Sequence, residues 1–399
     1  MVQRKILKNG MTVLFKKKRG GVVSVAFAVR NGGRNEVAKE KGISHFIEHM
    51  LYKGTPKRNS MQISAEIEKN GGELNGFTSE RMTAFWCKMP SRHIKVALDV
   101  LSDMVKNPLF DENELNKERK VIFEEMKLYH DTPSRYTAEK IKSLMYRGDF
   151  SVPIIGTESS MNSISRKKLT EFFKKVYASE NMILCVVGDT DFRKVCSFAE
   201  NNFIKKSGKV AKPKIILSNS KQIERRNGID QANLVFAHHI PLPNKKGYYS
   251  AQVLNMIMAG GMSSRLFSEI REKRNLAYSI RGETDSEGEY AYSLIAVGTP
   301  PENVQKIERL IVEEFKKVSE KLSEKELSEV KEQIIGNYLI YQEDSFNVLA
   351  NLLMEEIKGN ALNAEKFIDN IKKVKLSEVK KLAKIKKYSF FALVPDKHK

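Results

Sequence analysis

GISHFIEHMLYKG, residues 42–54, carries His45, Glu48 and His49 in the order His-Phe-Ile-Glu-His. Its apolar residues recur with a helical period, and on a helix His45 and His49 stand one turn apart on one face. Both imidazoles can then reach one cation while Glu48 projects beside them. A zinc centre of this kind needs at least one further protein ligand. The order is not rare enough to decide alone: with seven His and 49 acidic residues in 399, chance supplies it about 0.015 times per chain. Two surface histidines on an ordinary helix would read the same way, so the rest of the chain has to provide the missing ligand.

Length and composition narrow the setting. A chain of 399 residues, 41% hydrophobic and 30% charged, suffices for two or three domains with cores of their own. Nothing near the N-terminus resembles a secretory signal, and no apolar run approaches the ~20 residues of a membrane span. A cytoplasmic protein with no membrane partner is expected. Cys87, Cys185 and Cys196 lie in apolar or helical contexts without paired spacing, as reduced core residues do. A formal charge of +20 admits nucleic-acid binding, acidic partners or a lysine-rich solvated surface. The basic residues form short scattered groups near Lys16, Lys174 and Lys384, with no basic stripe interleaved with aromatics, which favours the solvated surface and no nucleic acid.

Taken in order, residues 3–17 read as two strands joined at Asn9-Gly10, and residues 22–30 as a sheet strand. Asn31-Gly32-Gly33 turns the chain into the histidine helix. Ser60 is placed to cap a second helix that ends at Asn70-Gly71-Gly72, and a long strand follows to Pro90. Helical patterns cover 91–106, 111 to about 130, 134–147 and 165–178, before the strand NMILCVVGD closes a first domain, residues 1–204. Residues 205–222, rich in charge, Gly, Pro and Ser, are the expected linker. Over residues 223–399 the order of elements recurs, with strand ANLVFAHHI, helix GYYSAQVLNMIMAG, then SSRLFSEIREK and further strands. The expectation is an α+β chain of two similar domains, each a mainly antiparallel sheet packed with helices and related by a degenerate duplication. Only the first copy carries the histidines. His130, His238 and His239 read as ordinary helix-end and strand residues, and His93 and His398 carry no motif.

The best acidic helix after the motif is NELNKERKVIFEEMKLYH, where Glu118 and Glu125 share a face that Glu124 does not. Glu125 lies 76 positions after His49. His-x-x-Glu-His is also the inverzincin order, in which the glutamate works on water at the metal. With these features the chain resembles the pitrilysin and mitochondrial processing peptidase family, whose third ligand is a glutamate at about this distance with a second functional glutamate one heptad earlier. GGELNGFTS (71–79) is similar to the family's glycine turn and substrate-holding edge strand, and GGMSSRLFSEIREKRNLAY (260–278) to its second-half signature. Three positions depart from the pattern: Arg81 stands where relatives commonly have glutamate, Asn275 replaces a usual glycine, and Gly76 a usual alanine.

The resemblance implies a zinc-dependent endopeptidase with one zinc ion (Zn2+) per chain. It implies His45, His49 and Glu125 as ligands, Glu48 as the general base, and Glu118 as a supporting carboxylate behind a ligand. Leu74, Asn75, Gly76, Phe77 and Thr78 would hold an unfolded peptide as an added strand, and Arg271 and Tyr278 would grip its carbonyl. A chain of two domains, against four in the long relatives, implies a homodimer in which Arg271 and Tyr278 come from the partner. The bland alternatives are a solvated helix residue for Glu118, a turn residue satisfying its own backbone for Asn75, and a surface arginine and core tyrosine for the pair. Two other classes stay open at this point, a non-catalytic scaffold or partner subunit of the same family and a basic nucleic-acid-binding protein.

Overall fold

The computed structural model describes residues 1–212 and 214–396; Pro213 of the expected linker and His398 lie outside them. Two compact units form, and neither is contiguous in sequence. The first takes Met1–Glu125, Val152–Lys214 and Ile340–Glu365; the second takes Met126–Ser151, Ile215–Leu339 and Lys366 onward. This differs from the contiguous halves read from the sequence, because an apolar helix face is covered by whatever sheet it fits, wherever it falls in the chain. Helix Ser345–Lys358 buries Val348, Leu349, Leu352 and Leu353 on the first sheet with Ala26, Ala28, Ile183 and Cys185. Helix Pro133–Met145 buries Ile141 and Met145 on the second.

The first unit is built on a six-stranded sheet. Its strands are β1 (Val2–Ile6), β2 (Thr12–Lys17), β3 (Val22–Val29), β4 (Glu73–Thr78), β5 (Thr83–Pro90) and β6 (Met182–Gly188), in the order β1-β2-β6-β3-β5-β4. β2 and β6 run parallel and every other neighbouring pair antiparallel. β6 is buried along its whole length, which is why its sequence reads as an unbroken apolar run. Gly10 takes φ +85 in the turn that joins β1 and β2. Two expectations need correction. The long strand to Pro90 is a hairpin, β4 and β5, because Ser79, Glu80 and Arg81 break the apolar run and Ser79 N–H closes the turn onto Met82 O at 2.7 Å. The cap of the second helix is Asn59, not Ser60: Asn59 is the extended residue, and its side chain accepts Gln62 N–H.

Four helices of this part of the chain are α1 (Ile43–Leu51), α2 (Ser60–Glu68), α3 (Ile94–Lys106) and α4 (Glu112–Asp131). α3 turns Leu98, Leu101 and Val105 into the core against β3 and β5.

The second unit repeats the plan. β7 (Lys221–Arg226), β8 (Ala232–His239), β9 (Ser279–Ser286), β10 (Ala291–Thr299) and β11 (Ser389–Pro395) lie in the order β9-β10-β8-β11-β7. Hairpin β9/β10 corresponds to β4/β5, β8 to β3, β11 to β6, and β7, parallel to β11, to β2. Helix Tyr248–Ala259 follows β8 as α1 follows β3, and both are entered through a left-handed glycine, Gly42 at φ +92 and Gly247 at φ +91. The duplication is therefore visible in topology and in a turn. β7 begins inside the expected linker, which also contributes the two-residue strand Ile216–Leu217 paired with Tyr146–Arg147. Asn275 stands at φ +51, a backbone region where asparagine is the usual substitute for glycine. All three cysteines are buried and free. Among the described residues no helix is long and apolar enough to cross a membrane.

Candidate metal centre

The site is built on α1, whose first turn is held by a residue the motif does not contain. Gly42, the residue before the helix, has no side chain with which to cap it, and a Cβ there would stand 2.6 Å from Ile155 O. Glu36 supplies the cap from upstream: Oε2 accepts Gly42 N–H at 2.9 Å and Oε1 accepts Ser44 N–H at 2.7 Å. Its carboxyl is 1% exposed, and burial pushes it up to about 7 against the pull of the Lys41 charge and those hydrogen bonds. Lys41 is itself fully buried and donates to Gly33 O at 2.5 Å. Sequence reading missed Glu36 because it stands six and eight residues before its donors, outside the window in which a capping residue is sought.

His45 and His49 project from one face of α1, their ring centroids 4.6 Å apart. α4 brings Glu125 to both rings: its Oε2 lies 3.6 Å from His45 Nε2 and 3.6 Å from His49 Nε2. Donors at 2.0–2.1 Å around a tetrahedral zinc stand roughly 3.3–3.4 Å apart, so two imidazoles and a carboxylate at this spacing fit the ion. Among the described residues no other group of His, Cys, Asp and Glu side chains gathers donors so closely. His130 is exposed at the end of α4, and His238 and His239 sit in β8.

Glu118, one heptad before Glu125 on α4, points at the back of the site. Its Oε2 lies 3.1 Å from His49 Nδ1 and its Oε1 2.5 Å from Lys53 Nζ, and its side chain is 8% exposed, which excludes the solvated-residue reading. A carboxylate on Nδ1 fixes the ring tautomer and leaves Nε2 as the nitrogen that could hold a metal. Lys53, four residues beyond His49, had the helical spacing that could have revealed it. In the chain alone, burial and the neighbouring His49 lower His45 to about 4. His49 is also penalised by burial, yet hydrogen bonds to Glu118 and Glu125 outweigh that and raise it to about 9.

Glu48 is the third polar residue of the α1 face. Burial raises its carboxyl above the usual range, while Thr78 Oγ1 donates to its Oε2 at 2.6 Å. Thr78 therefore reaches Glu48 with its side chain. β4 is the edge strand of its sheet. Leu74, Gly76 and Thr78 share one face of it, Asn75 and Phe77 the other. The Asn75 side chain accepts the Gly76 N–H at 2.8 Å, so Asn75 does satisfy neighbouring backbone, on a group β5 leaves free.

Arg271 and Tyr278 belong to the second unit. Arg271 is exposed on the π-helical turn Phe267–Glu272, its guanidinium 4.9 Å from the Phe267 ring centroid. Tyr278 directly precedes β9 and is 56% exposed, so it is not the core tyrosine of the bland reading.

Comparison with known proteins agrees with this geometry. The model of the insulinase family (peptidase family M16) matches residues 12–158, and that of the peptidase M16 inactive domain matches residues 163–334. A protein of Rickettsia felis named "Uncharacterized zinc protease" is 32% identical over 343 residues, covering 84% of this chain and 83% of its own. "Uncharacterized zinc protease YmxG" of Bacillus subtilis is 30% identical over 394 residues, covering 96% of this chain and 95% of its own. Among solved structures, a protease from Helicobacter pylori shares the fold with a TM-score of 0.90 at 22% identity, over 98% of this chain and 99% of that one. The chain belongs to peptidase family M16, the insulinase and pitrilysin family, in its short two-domain form.

Proposed function

We propose that this protein is a zinc-dependent endopeptidase that hydrolyses unfolded peptides or presequence-like segments held as an added β-strand. The observation that carries the reading is the convergence of His45 Nε2, His49 Nε2 and Glu125 Oε2, with Glu48 beside them. Zinc held by those three atoms would supply a Lewis-acidic centre that polarises a peptide carbonyl and acidifies water. Glu48, oriented by Thr78 through Oε2, accepts the proton of the attacking water and returns it to the departing amine, a role worth ~10²–10⁴ in rate. Its raised affinity for a proton, from burial, suits both halves of that transfer. Glu118 keeps the His49 ring in its ligating tautomer.

The free edge of β4 takes the substrate backbone, with Asn75 giving up the Gly76 N–H to the incoming strand. Main-chain pairing tolerates many sequences. Arg271 and Tyr278, supplied by the second copy in a homodimer, donate to the oxygen on which charge grows; their exposure on their own unit suits a substrate-facing role.

Cleavage of a quenched peptide library by the purified chain, with and without chelator and alongside Glu48→Gln, tests the reading. Chelator-sensitive cleavage that the substitution abolishes is expected. Zinc bound at one ion per chain without such cleavage would refute the peptidase and leave the scaffold subunit.

A further inference from the structure

The hydroxyl of Tyr52 is buried and has no hydrogen-bond partner among the described residues. A buried donor without a partner is costly and calls for an explanation. Tyr52 directly follows α1 and stands four residues beyond Glu48, so the two side chains share a helix face. Gly76 of β4 lies over both. A Cβ at Gly76 would be 2.7 Å from the Tyr52 hydroxyl oxygen and 3.4 Å from Glu48 Cγ. The Tyr52 hydroxyl oxygen is therefore at most about 6 Å from Glu48 Cγ, which puts the carboxylate within the reach of a water-mediated hydrogen bond. Glu48 Oε2 is taken by Thr78, and Oε1 receives no hydrogen bond from the described residues. Tyr177 presents a second buried hydroxyl without a hydrogen-bond partner among the described residues. Burial, with the Glu48 charge adding to it, raises both phenols far above neutrality, so each remains a donor.

We propose that Tyr52 is a positioning residue for hydrolysis: its hydroxyl, lodged beneath Gly76, donates through one water to Glu48 Oε1, so that Thr78 and Tyr52 together fix the carboxylate plane. Gly76 is the condition for this arrangement. A methyl group there would strike the hydroxyl, which accounts for glycine at a position where the resemblance leads one to expect alanine. The inference rests on the reading of Glu48 as the base. No bond is made or broken by Tyr52 itself; it directs the lone pair that takes up the proton.

The test is a kinetic double-mutant cycle of the full-length zinc-loaded protein with Tyr52→Phe, Gly76→Ala and the pair. Tyr52→Phe is expected to lower kcat roughly three- to tenfold, the worth of one net hydrogen bond, with KM and zinc content unchanged. Gly76→Ala, whose Cβ would also stand 3.0 Å from Ala84 O, is expected to lower kcat by a larger factor when Tyr52 is present than when added to Tyr52→Phe. An active wild type whose Tyr52→Phe variant keeps full kcat, or loses activity only together with zinc, overturns this inference alone. A wild type without chelator-sensitive cleavage sinks the peptidase reading instead. In that event thermal unfolding of the same four proteins decides whether the contact exists, since additive shifts would show that residues 52 and 76 are not coupled.

Discussion

Replacing Glu118 by glutamine should weaken zinc binding without unfolding the protein. The carboxylate holds His49 Nδ1 at 3.1 Å and Lys53 Nζ at 2.5 Å with only 8% of its side chain exposed, so solvent screens the interaction poorly. A hydrogen bond between such a charged pair contributes about 1.5–3 kcal/mol. Glutamine keeps one oxygen that can accept from Nδ1, but it removes the negative charge and turns an amide NH2 toward the lysine ammonium. A net loss of about 1.4–2.7 kcal/mol follows, equivalent to ~10–100-fold in affinity. Competition with a chromophoric chelator at fixed pH measures this directly, and circular dichroism on the same samples reports the fold. Glu118→Asp, one methylene shorter, should also fail to reach both partners. An affinity within about twofold of wild type, which is under 0.5 kcal/mol, in a folded Glu118→Gln protein would refute the argument that this carboxylate tunes the ligand.

Other expectations are as direct. Glu36→Gln leaves one first-turn N–H of α1 facing an amide NH2 and should cost about 1–2 kcal/mol; unfolding midpoints unchanged from wild type would show that the cap is dispensable. The Glu356 carboxylate, 1% exposed, is paired with Arg4 at 2.8 Å and Arg30 at 2.6 Å. Burial opposes its ionisation, but hydrogen bonds from Arg4, Arg30 and Ala361 N–H outweigh it and hold the carboxyl below its usual 4.5. A depressed acid contributes stability that is present above 4.5 and lost as pH falls below it. Glu356→Gln should therefore cost about 2–4 kcal/mol at neutral pH and flatten the acid limb of a stability-versus-pH curve; equally steep limbs would contradict this. Finally, mixing inactive His45→Ala and Arg271→Ala chains should restore part of the activity if copies share sites, and no recovery would argue for self-contained chains.

What could be read from the sequence was what local spacing encodes. The i,i+4 histidines, the heptad from Glu118 to Glu125 and the recurrence of a strand followed by a helix all lie within one or two elements, and the structure has them where expected. Glu36 was missed because a side chain capping a helix from six residues upstream leaves no periodic trace. Tyr52 was passed over because an aromatic on a buried helix face reads as core. The cap of the second helix falls one residue before the expected Ser60 because asparagine and serine stand side by side and both cap helices. The exchange of segments between the units was out of reach for a different reason: the apolar stripe of Ser345–Lys358 records that it must be covered and not by which sheet.

That late helix also imposes an order on biosynthesis. Every proposed ligand has left the ribosome once Glu125 has emerged, yet the sheet beneath them stays uncovered until Val348, Leu349, Leu352 and Leu353 arrive and Glu356 ties Arg4 and Arg30. A nascent or prematurely terminated chain ending before residue 340 holds the complete donor set on an unfinished support, with that apolar surface bare. Completion of the support beneath the candidate site thereby waits for residues 345–358, and fragments lacking this helix should be insoluble or quickly degraded.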